Sequence, residues 1–585
     1  MSSERPLQFL PLVTGLLLAT TVAGCSAKYW RNSADKEAAR LIREKTPAVP
    51  NMDTNFTAEA KDPLRLESLP TTPEPEEFLG AEAESERNAR VLDLATAMEL
   101  SVRQSREFQG RRELLYLEAL DLSLARWRLK PIVGSRANAA IQSTTPVVVT
   151  GQDPITGETV TAVRNGNKLA TGRGLFGVDW LLATGARLSA DFTADFLRFV
   201  GGSGTPNTGS RLGGTLTQPL LRGAGFKVTL ETLTQAERNL LYAMREFAQY
   251  RQTFTVTTTG DYFQVLQARD TARNAFLDLQ RSRQNVARER AFADEGQRPL
   301  ASLDQFRQAE LNSETRWLEA LRNYREALDR FKISLGVPLA TKLVLADAEL
   351  ARLAIREPGV PVDEAVGVAV ATRLDLQTAK ERLQDAERRV PIAKNSLLPQ
   401  VDATASAGFA SNSTNGFVLP DPKFNNWSAG LNVDLGLDRK AQRNDFRRTL
   451  IQVEQTRRQF SLAVDNVRLQ VASNWRALEQ AKRNFENAEI GVKLAERRVE
   501  EQELRMQLGR GQTRDLLDAQ ADLNNARNGR TAAVVNHTLA RLRYWRDMGL
   551  LFVRDDGSWY EAPVPPAATD TNSPALNPPA FALKP

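Results

Sequence analysis

Two stretches of this 585-residue sequence carry the same order of elements, and that duplication constrains the fold more than any composition value. Gln308-Ala309-Glu310-Leu311-Asn312 returns 212 residues later as Gln520-Ala521-Asp522-Leu523-Asn524. Glu107-Phe108-Gln109 and Pro131 return 268 residues later as Asp375-Leu376-Gln377 and Pro399. The two offsets differ by 56 because the strand-rich insert of the first copy is longer. Each copy reads helix, proline, alternating strands, a very long helix, a glycine-marked turn and a further helix. A repeat that mixes strands with helices too long for a compact domain predicts an elongated assembly rather than an enzyme cleft.

Charge and side-chain chemistry narrow the function classes. The net charge is +6, and the 77 basic and 71 acidic groups are intermingled along the helical stretches. No dense basic stripe with interleaved aromatics is present, so nucleic acid is not an expected partner. With one Cys and one His, a disulfide framework is excluded and no ordinary His/Cys metal site can be assembled. A thiol or imidazole catalyst would have to be Cys25 or His537 alone. Gly-rich phosphate loops, nucleophile elbows and zinc-site spacings are missing, so neither an enzyme nor a cofactor is expected.

Residues 1–24 read as a secretory signal: Phe9 to Ala23 is apolar, too short for a membrane span and interrupted by Pro11. It ends in Val22-Ala23-Gly24-Cys25, which resembles a bacterial lipobox, where the Cys thiol is acylated and becomes the new N-terminus. Cys25 is then a lipidation site; the alternative is a plain signal followed by an unpaired Cys. Ser26, where inner-membrane retention signals carry Asp, implies the outer membrane. Residues 25–88 read as a lipid-anchored tether, with a short amphipathic helix over 31–45 and a Pro- and Glu-rich extended stretch over 46–88. At the other end, 552–585 reads as a disordered Pro-rich tail.

Between Phe226 and Glu295, and again between Arg439 and Leu508, there is a single Gly and no Pro. Each segment would span on the order of 100 Å as a continuous helix. The second fits strict heptads from Phe446 through Leu450, Val453, Arg457, Phe460, Val464, Val467, Val471, Asn474, Leu478, Ala481, Phe485, Ala488, Val492 and Ala495 to Val499. Only Arg457 and Asn474 break this apolar seam, which predicts coiled-coil packing. The breaks at Glu295-Gly296-Gln297-Arg298-Pro299 and Leu508-Gly509-Arg510-Gly511 predict antiparallel hairpins with their turns at one end. The helices alone fit a non-conducting, lipid-anchored coiled-coil envelope scaffold equally well.

The strands separate these readings. Leu188, Ala190, Phe192, Ala194 and Phe196 alternate with Arg187, Ser189, Asp191, Thr193 and Asp195. Val401, Ala403, Ala405, Ala407 and Phe409 alternate with polar or small residues, as do Trp427, Ala429, Leu431, Val433 and Leu435. Stretches of this length, apolar on one face and small and polar on the other, match transmembrane β-barrel strands. A soluble sandwich with one buried face is the alternative. Too few strands are present to close either structure within one chain, so closure would come from several chains. Pro131 and Pro399 mark the passages from helix to strand, and Pro219, in Thr217-Gln218-Pro219-Leu220, marks a return.

With these features, residues of about 90 to 551 resemble the TolC-like outer-membrane efflux family. The carriers are the duplicated order, Pro131, Pro399, Leu216-Thr217-Gln218-Pro219-Leu220, Arg373-Leu374-Asp375-Leu376-Gln377, and Asp515-Leu516-Leu517-Asp518-Ala519-Gln520 leading into Leu523-Asn524-Asn525-Ala526. The resemblance divides the chain into a first efflux repeat at 89–340, a connection at 341–360 and a second repeat at 361–551. It implies a mainly α fold with a membrane β-barrel: a homotrimer whose strands form one barrel in outer-membrane lipid and whose helical hairpins form a periplasmic tunnel. Its implied partners are a periplasmic adaptor and an inner-membrane pump, its implied role passive efflux of small molecules. An exit duct for secreted protein is not distinguished from this.

One departure is visible. The first copy holds four candidate strands, at about 132–142, 174–182, 186–197 and 211–220, with Ala183-Thr184-Gly185 as a tight turn. With the two strands of the second copy, six strands per chain exceed the four that the family implies. Either two form a hairpin outside the wall or the barrel is larger.

By position, Asp515 and Asp518 match the acidic pair at the family's periplasmic aperture, where a trimer would set rings of carboxylates favouring cations. The alternative is an i, i+3 pair on a solvated helix face. Arg510 and Arg514 are basic neighbours able to pair with carboxylates and hold the tip shut. The family's latch positions fall on Met506 and Gly511, which carry no side chain for that bonding. Trp317, Trp475, Trp545 and His537 read as packing or surface residues.

Overall fold

The computed structural model describes residues 27–53, 56–59, 62–72, 74, 76–143, 147–152, 159–164, 168–201, 207–411 and 419–564. The expected signal, the lipobox with Cys25, and residues 565–585 lie outside the described residues. In chain order the elements are α1 (Ala27–Lys45), β1 (Arg90–Leu92), α2 (Leu94–Gln104), α3 (Arg106–Trp127), β2 (Ile132–Ser143), β3 (Val147–Gln152), β4 (Thr159–Arg164), β5 (Lys168–Leu181), β6 (Arg187–Gly201), β7 (Asn207–Pro219), α4 (Glu231–Asp294), α5 (Leu300–Leu335) and β8 (Leu343–Leu345). There follow α6 (Val362–Thr372), α7 (Leu374–Asn395), β9 (Gln400–Ala410), β10 (Asp421–Asp434), α8 (Lys440–Gln507), α9 (Thr513–Asp547), β11 (Leu551–Val553) and β12 (Trp559–Glu561). Two compact units emerge, one built from Glu118–Leu240 and Glu381–Arg458, the other from Ala39–Leu117, Leu241–Lys380 and the chain from Gln459 onward. No described helix is long and apolar enough to cross a membrane.

The duplication holds at the level of single residues. Helices α2 and α6 are both 11 residues long, and their C-caps, Ser105 and Arg373, share φ −63° and ψ 125°. Helices α3 and α7 both have 22 residues. All four keep the 268-residue offset read from the sequence. At the far end of each repeat a glycine turns the chain out of the helix, Gly336 with φ +78° and Gly549 with φ +74°. A Cβ on Gly336 would lie 2.1 Å from the carbonyl oxygen of Gln104, the last residue of α2. On Gly549 it would lie 2.9 Å from Oγ1 of Thr372, the last residue of α6. Both glycines therefore serve the αL turn and the same close approach.

The heptad seam on α8 is the face that is covered. Between Phe446 and Val499 the buried residues of this helix are Val453, Val467, Val471, Leu478, Ala481 and Val499, every one a seam position. Val467, Val471 and Leu478 join a core with Val256, Leu542, Tyr544 and Met548. The breaker Asn474 is bonded to Asp547, and the breaker Arg457 stays exposed beside Glu454 and Glu387. Trp545 is buried in this core and Trp475 packs against it; Trp317 packs on the neighbouring core around Tyr324 and Phe331.

Two expectations about the flanking segments need correction. The first is the tether: residues 46–88 contain short 3₁₀ turns and lay Phe56, Phe78 and Leu79 into apolar cores. The Trp317 indole donates to the Phe78 carbonyl at 2.8 Å, and the Tyr324 hydroxyl donates to the buried Glu86 carboxylate at 2.8 Å. Burial and that facing carboxylate push the Tyr324 hydroxyl well above the ordinary tyrosine range. Proline content forbids helix but not packing, so composition alone misread the stretch. The connection 341–360 contributes β8, buried throughout and paired in parallel with β1. Second, the tail starts later than 552: β11 and β12 form an antiparallel pair, with Val553 and Ala562 buried.

Six of the longer strands form one antiparallel sheet in the order β10-β9-β7-β6-β5-β2, while β3 and β4 pair only with each other. Pro131 and Pro399 stand immediately before β2 and β9, and Pro219 closes β7, as the junction reading expects. The Leu220 amide then donates to the Val401 carbonyl at 2.7 Å, so the sheet continues one step past the residue that has no N–H. The turn between β5 and β6 is closed by Gly185, at φ +94°, whose amide donates to the Leu182 carbonyl at 2.9 Å.

Candidate functional site

Two places carry candidate function: the faces of the six-stranded sheet and the tips of the helical hairpins. They are taken separately.

On the sheet, register keeps like side chains together. Trp427, Ala429, Leu431 and Val433 on β10 stand opposite Ala407, Ala405, Ala403 and Val401 on β9. The same face continues through Leu212 and Leu216 on β7, Phe192, Ala190 and Leu188 on β6, Phe176, Val178 and Trp180 on β5, and Val133 on β2. Among the described residues nothing packs over it: Trp427 is 78 % exposed, Leu431 69 % and Ile141 80 %. The opposite face is polar. Arg173 pairs with Asp195 at 2.9 Å, the Ser406 and Ser428 hydroxyls meet at 2.8 Å, and Asp191, Thr193, Thr215 and Asn432 share that side. The sandwich alternative fails here, since its apolar face would be the buried one.

At the tips, both turns close in the same way. Gly296 and Gly509 adopt φ +72° and +69°, and the next amides, of Gln297 and Arg510, reach back to the carbonyls of Phe292 and Arg505, both at 2.9 Å. The first turn is bound to the second. Arg298 donates to the Glu289 carboxylate at 3.1 Å and to the Met506 carbonyl at 2.7 Å. The Ser302 hydroxyl donates to Glu289 at 2.7 Å and lies 2.9 Å from the Thr513 hydroxyl. Beneath this clamp Phe306, Met506 and Leu516 form a small apolar core. Further along, Asp278 accepts from Ser313 and Arg316, and Asn285 donates to Gln520 at 3.1 Å.

The sequence-derived tip candidates lie on the outside of this arrangement. Asp515 and Asp518 are exposed, while Leu516 and Ala519, the residue after each, face inward. Arg514 stands 3.8 Å from Asp518 on its own helix, and both line a polar cleft of about 430 Å³ with Asp278, Ser313 and Arg316. Arg510 is exposed in the turn. The residues that fasten tip to tip, Glu289, Arg298 and Ser302, escaped the sequence reading. Only the placement of Arg298 in the Gly-Gln-Arg-Pro turn gave any signal. Among the described residues no group of His, Cys, Asp and Glu is arranged to hold a metal ion.

The comparisons with known proteins bear on both places. Residues 365–541, from within α6 to within α9, match the family model described as outer membrane efflux protein. The match falls within the second copy of the repeated element order. Solved outer-membrane channels share the fold over most of the chain. The CmeC outer membrane channel of Campylobacter jejuni has a TM-score of 0.58 at 13 % identity, covering 86 % of this chain and 94 % of its own. VceC of Vibrio cholerae has a TM-score of 0.58 at 14 % identity, covering 78 % and 96 %. The outer-membrane channel OprN has a TM-score of 0.55 at 15 % identity, covering 86 % and 98 %. The curated proteins offer no significant match. The resemblance to the TolC-like efflux family read from the sequence therefore holds, and the fold is mainly helical with an added sheet, as that resemblance implies. The fold is that of solved outer-membrane channels.

Proposed function

We propose that this chain is the outer-membrane component of a tripartite efflux system, a passive homotrimeric duct for small molecules. In this reading the two-faced sheets of three copies close into one barrel in outer-membrane lipid, and the paired helical hairpins build a periplasmic tunnel. The tips meet a periplasmic adaptor that links the duct to an inner-membrane pump, and Cys25 carries the lipid anchor. Energy comes from the partners; the duct supplies a water-filled path.

One observation carries the proposal: a six-stranded sheet with an uncovered apolar face and a polar face opposite. Lipid satisfies the first, water the second, and closure of the sheet between copies removes its open edges. The exposed carboxylates of Asp515 and Asp518 fit an aperture role, and the Arg298–Glu289 clamp fits a closed resting tip. Reconstitution of the purified protein into a planar bilayer tests the reading. Trimer-sized particles with discrete conductance steps are the expected result. A monomer that stays in solution without detergent and gives no conductance overturns it.

A further inference from the structure

We propose that all six strands of each copy lie in the barrel wall, the β10 edge of one copy pairing antiparallel with the β2 edge of the next. The inference rests on the duct reading above and adds the architecture of its wall. With six strands from each of three copies, the wall holds eighteen.

Strand order excludes an extra hairpin outside the wall. The chain enters the sheet after Pro131 through β2 and leaves it at Pro219 through β7, so the insertion between these is β5 and β6 with the separate β3–β4 pair. Yet β5 and β6 are interior strands, lying between β2 and β7 and paired to each other over 14 positions. Lifting them out would leave β2 without its only partner. The apolar face also runs without interruption onto β2, where Val133 stands opposite Val178 and Ala137 opposite Gly174. All six strands, from 11 to 15 residues, are long enough to cross the hydrocarbon layer at a tilt.

Direction and stagger then specify the occupant of the open edges. An even number of alternating strands leaves β2 and β10 running in opposite senses, so the β10 edge of one copy meets the β2 edge of a second in antiparallel register. Following paired residues across the sheet from Ile132 gives Asp179, Ser189, Thr215, Ser406 and Ser428. Ser428 lies six residues short of Asp434, the end of β10. The sheet is therefore staggered, as closure of a tilted barrel requires. No other described strand is available to either edge, because β3 and β4 are paired to each other and the remaining short strands belong to other sheets.

Cross-linking of the full-length protein in detergent tests this. Arg136→Cys on β2 with Asn432→Cys on β10, both on the polar face near the helical end, should give covalent dimer and trimer with a flexible bismaleimide. Neither single variant should do so, which accounts for Cys25. A reconstruction of the particle should count eighteen wall strands. Trimers that cross-link instead through Ser189→Cys on β6 with Asn432→Cys, or a count of twelve, would overturn the six-strand wall and leave the duct reading standing. A soluble monomer without cross-links would overturn both.

Discussion

Arg298 donates to the Glu289 carboxylate at 3.1 Å across the turn between α4 and α5, and only 3 % of the Glu289 side chain is exposed. Through its second terminal nitrogen the same guanidinium holds the Met506 carbonyl in the other repeat. One side chain thus satisfies a buried charge and fastens the two hairpin tips.

Arg298→Met removes both bonds and leaves Glu289 with Ser302 as its hydrogen-bond donor. A buried charge deprived of its ion-pair partner costs about 3–5 kcal/mol, concentrated at the tips. In bilayer recordings the variant should open more often and for longer than the unaltered protein. Glu289→Gln keeps the Ser302 contact and should have a smaller effect. Equal open probability in all three proteins would remove the clamp from the gating account.

The clamp also marks where sequence reading stopped. The repeat was legible because α2 and α6, or Gly336 and Gly549, face the same packing demands, and similar demands select similar residues at a constant spacing. The α8 seam and the strands were legible because keeping apolar side chains on one face imposes periods of 3.5 and 2 on a single stretch of chain. Partners far apart in sequence leave no such period. Glu86 reads as one more acidic residue of a Pro-rich stretch until Tyr324 and Arg269 are placed against it. Arg298 likewise reads as a solvated turn residue until Met506 arrives from the second repeat. The β3–β4 pair and the β11–β12 hairpin were missed for a related reason, since segments of three to six residues are too short to establish a period.

The acidic pair on α9 should matter for ions rather than for stability. Asp515 and Asp518 are exposed, and the Arg514–Asp518 approach of 3.8 Å on the helix surface contributes little to folding. Asp515→Asn combined with Asp518→Asn should lower the cation preference measured from reversal potentials in a salt gradient, with thermal stability nearly unchanged. An unaltered reversal potential would return these residues to an ordinary solvated helix face.

Three glycines with similar positive φ should respond differently to alanine. Gly296, at φ +72°, has open space where a Cβ would stand, so Gly296→Ala should cost only the left-handed backbone penalty of about 1–2 kcal/mol. Gly549→Ala adds a contact 2.9 Å from a hydroxyl that can give way in part. Gly336→Ala drives a methyl to 2.1 Å from the Gln104 carbonyl oxygen, which is fixed backbone. Unfolding temperatures should therefore fall in the order Gly336, Gly549, Gly296, largest loss first. A Gly336→Ala variant as stable as Gly296→Ala would contradict the packing at the repeat ends.

His537 offers a pH test, since it is the one histidine in the chain and is only 1 % exposed. No hydrogen-bond partner reaches its Nδ1. Burial lowers its pKa below the ordinary 6.5, and the positive charges of Arg541 and Lys482 lower it further. The unfolded chain then binds a proton at a pH where the folded chain resists it, so stability rises with pH across that interval. Above 6.5 the neutral imidazole is present in both states and the contribution is complete; it is lost as the pH falls from 6.5 through the folded-state value. Carboxylates titrate nearer pH 4 in the unfolded chain; burial raises the pKa of Asp261, so the share of the histidine is read from the difference between the unaltered protein and a variant without it. The unfolding temperature should decline as pH drops below about 6.5, and His537→Gln should flatten that decline. Selective isotope labelling gives a single imidazole signal whose midpoint reads the pKa directly. A midpoint at or above 6.5, or a slope unchanged in the variant, would mean that water reaches the ring and that the helix around it is less tightly packed than its burial indicates.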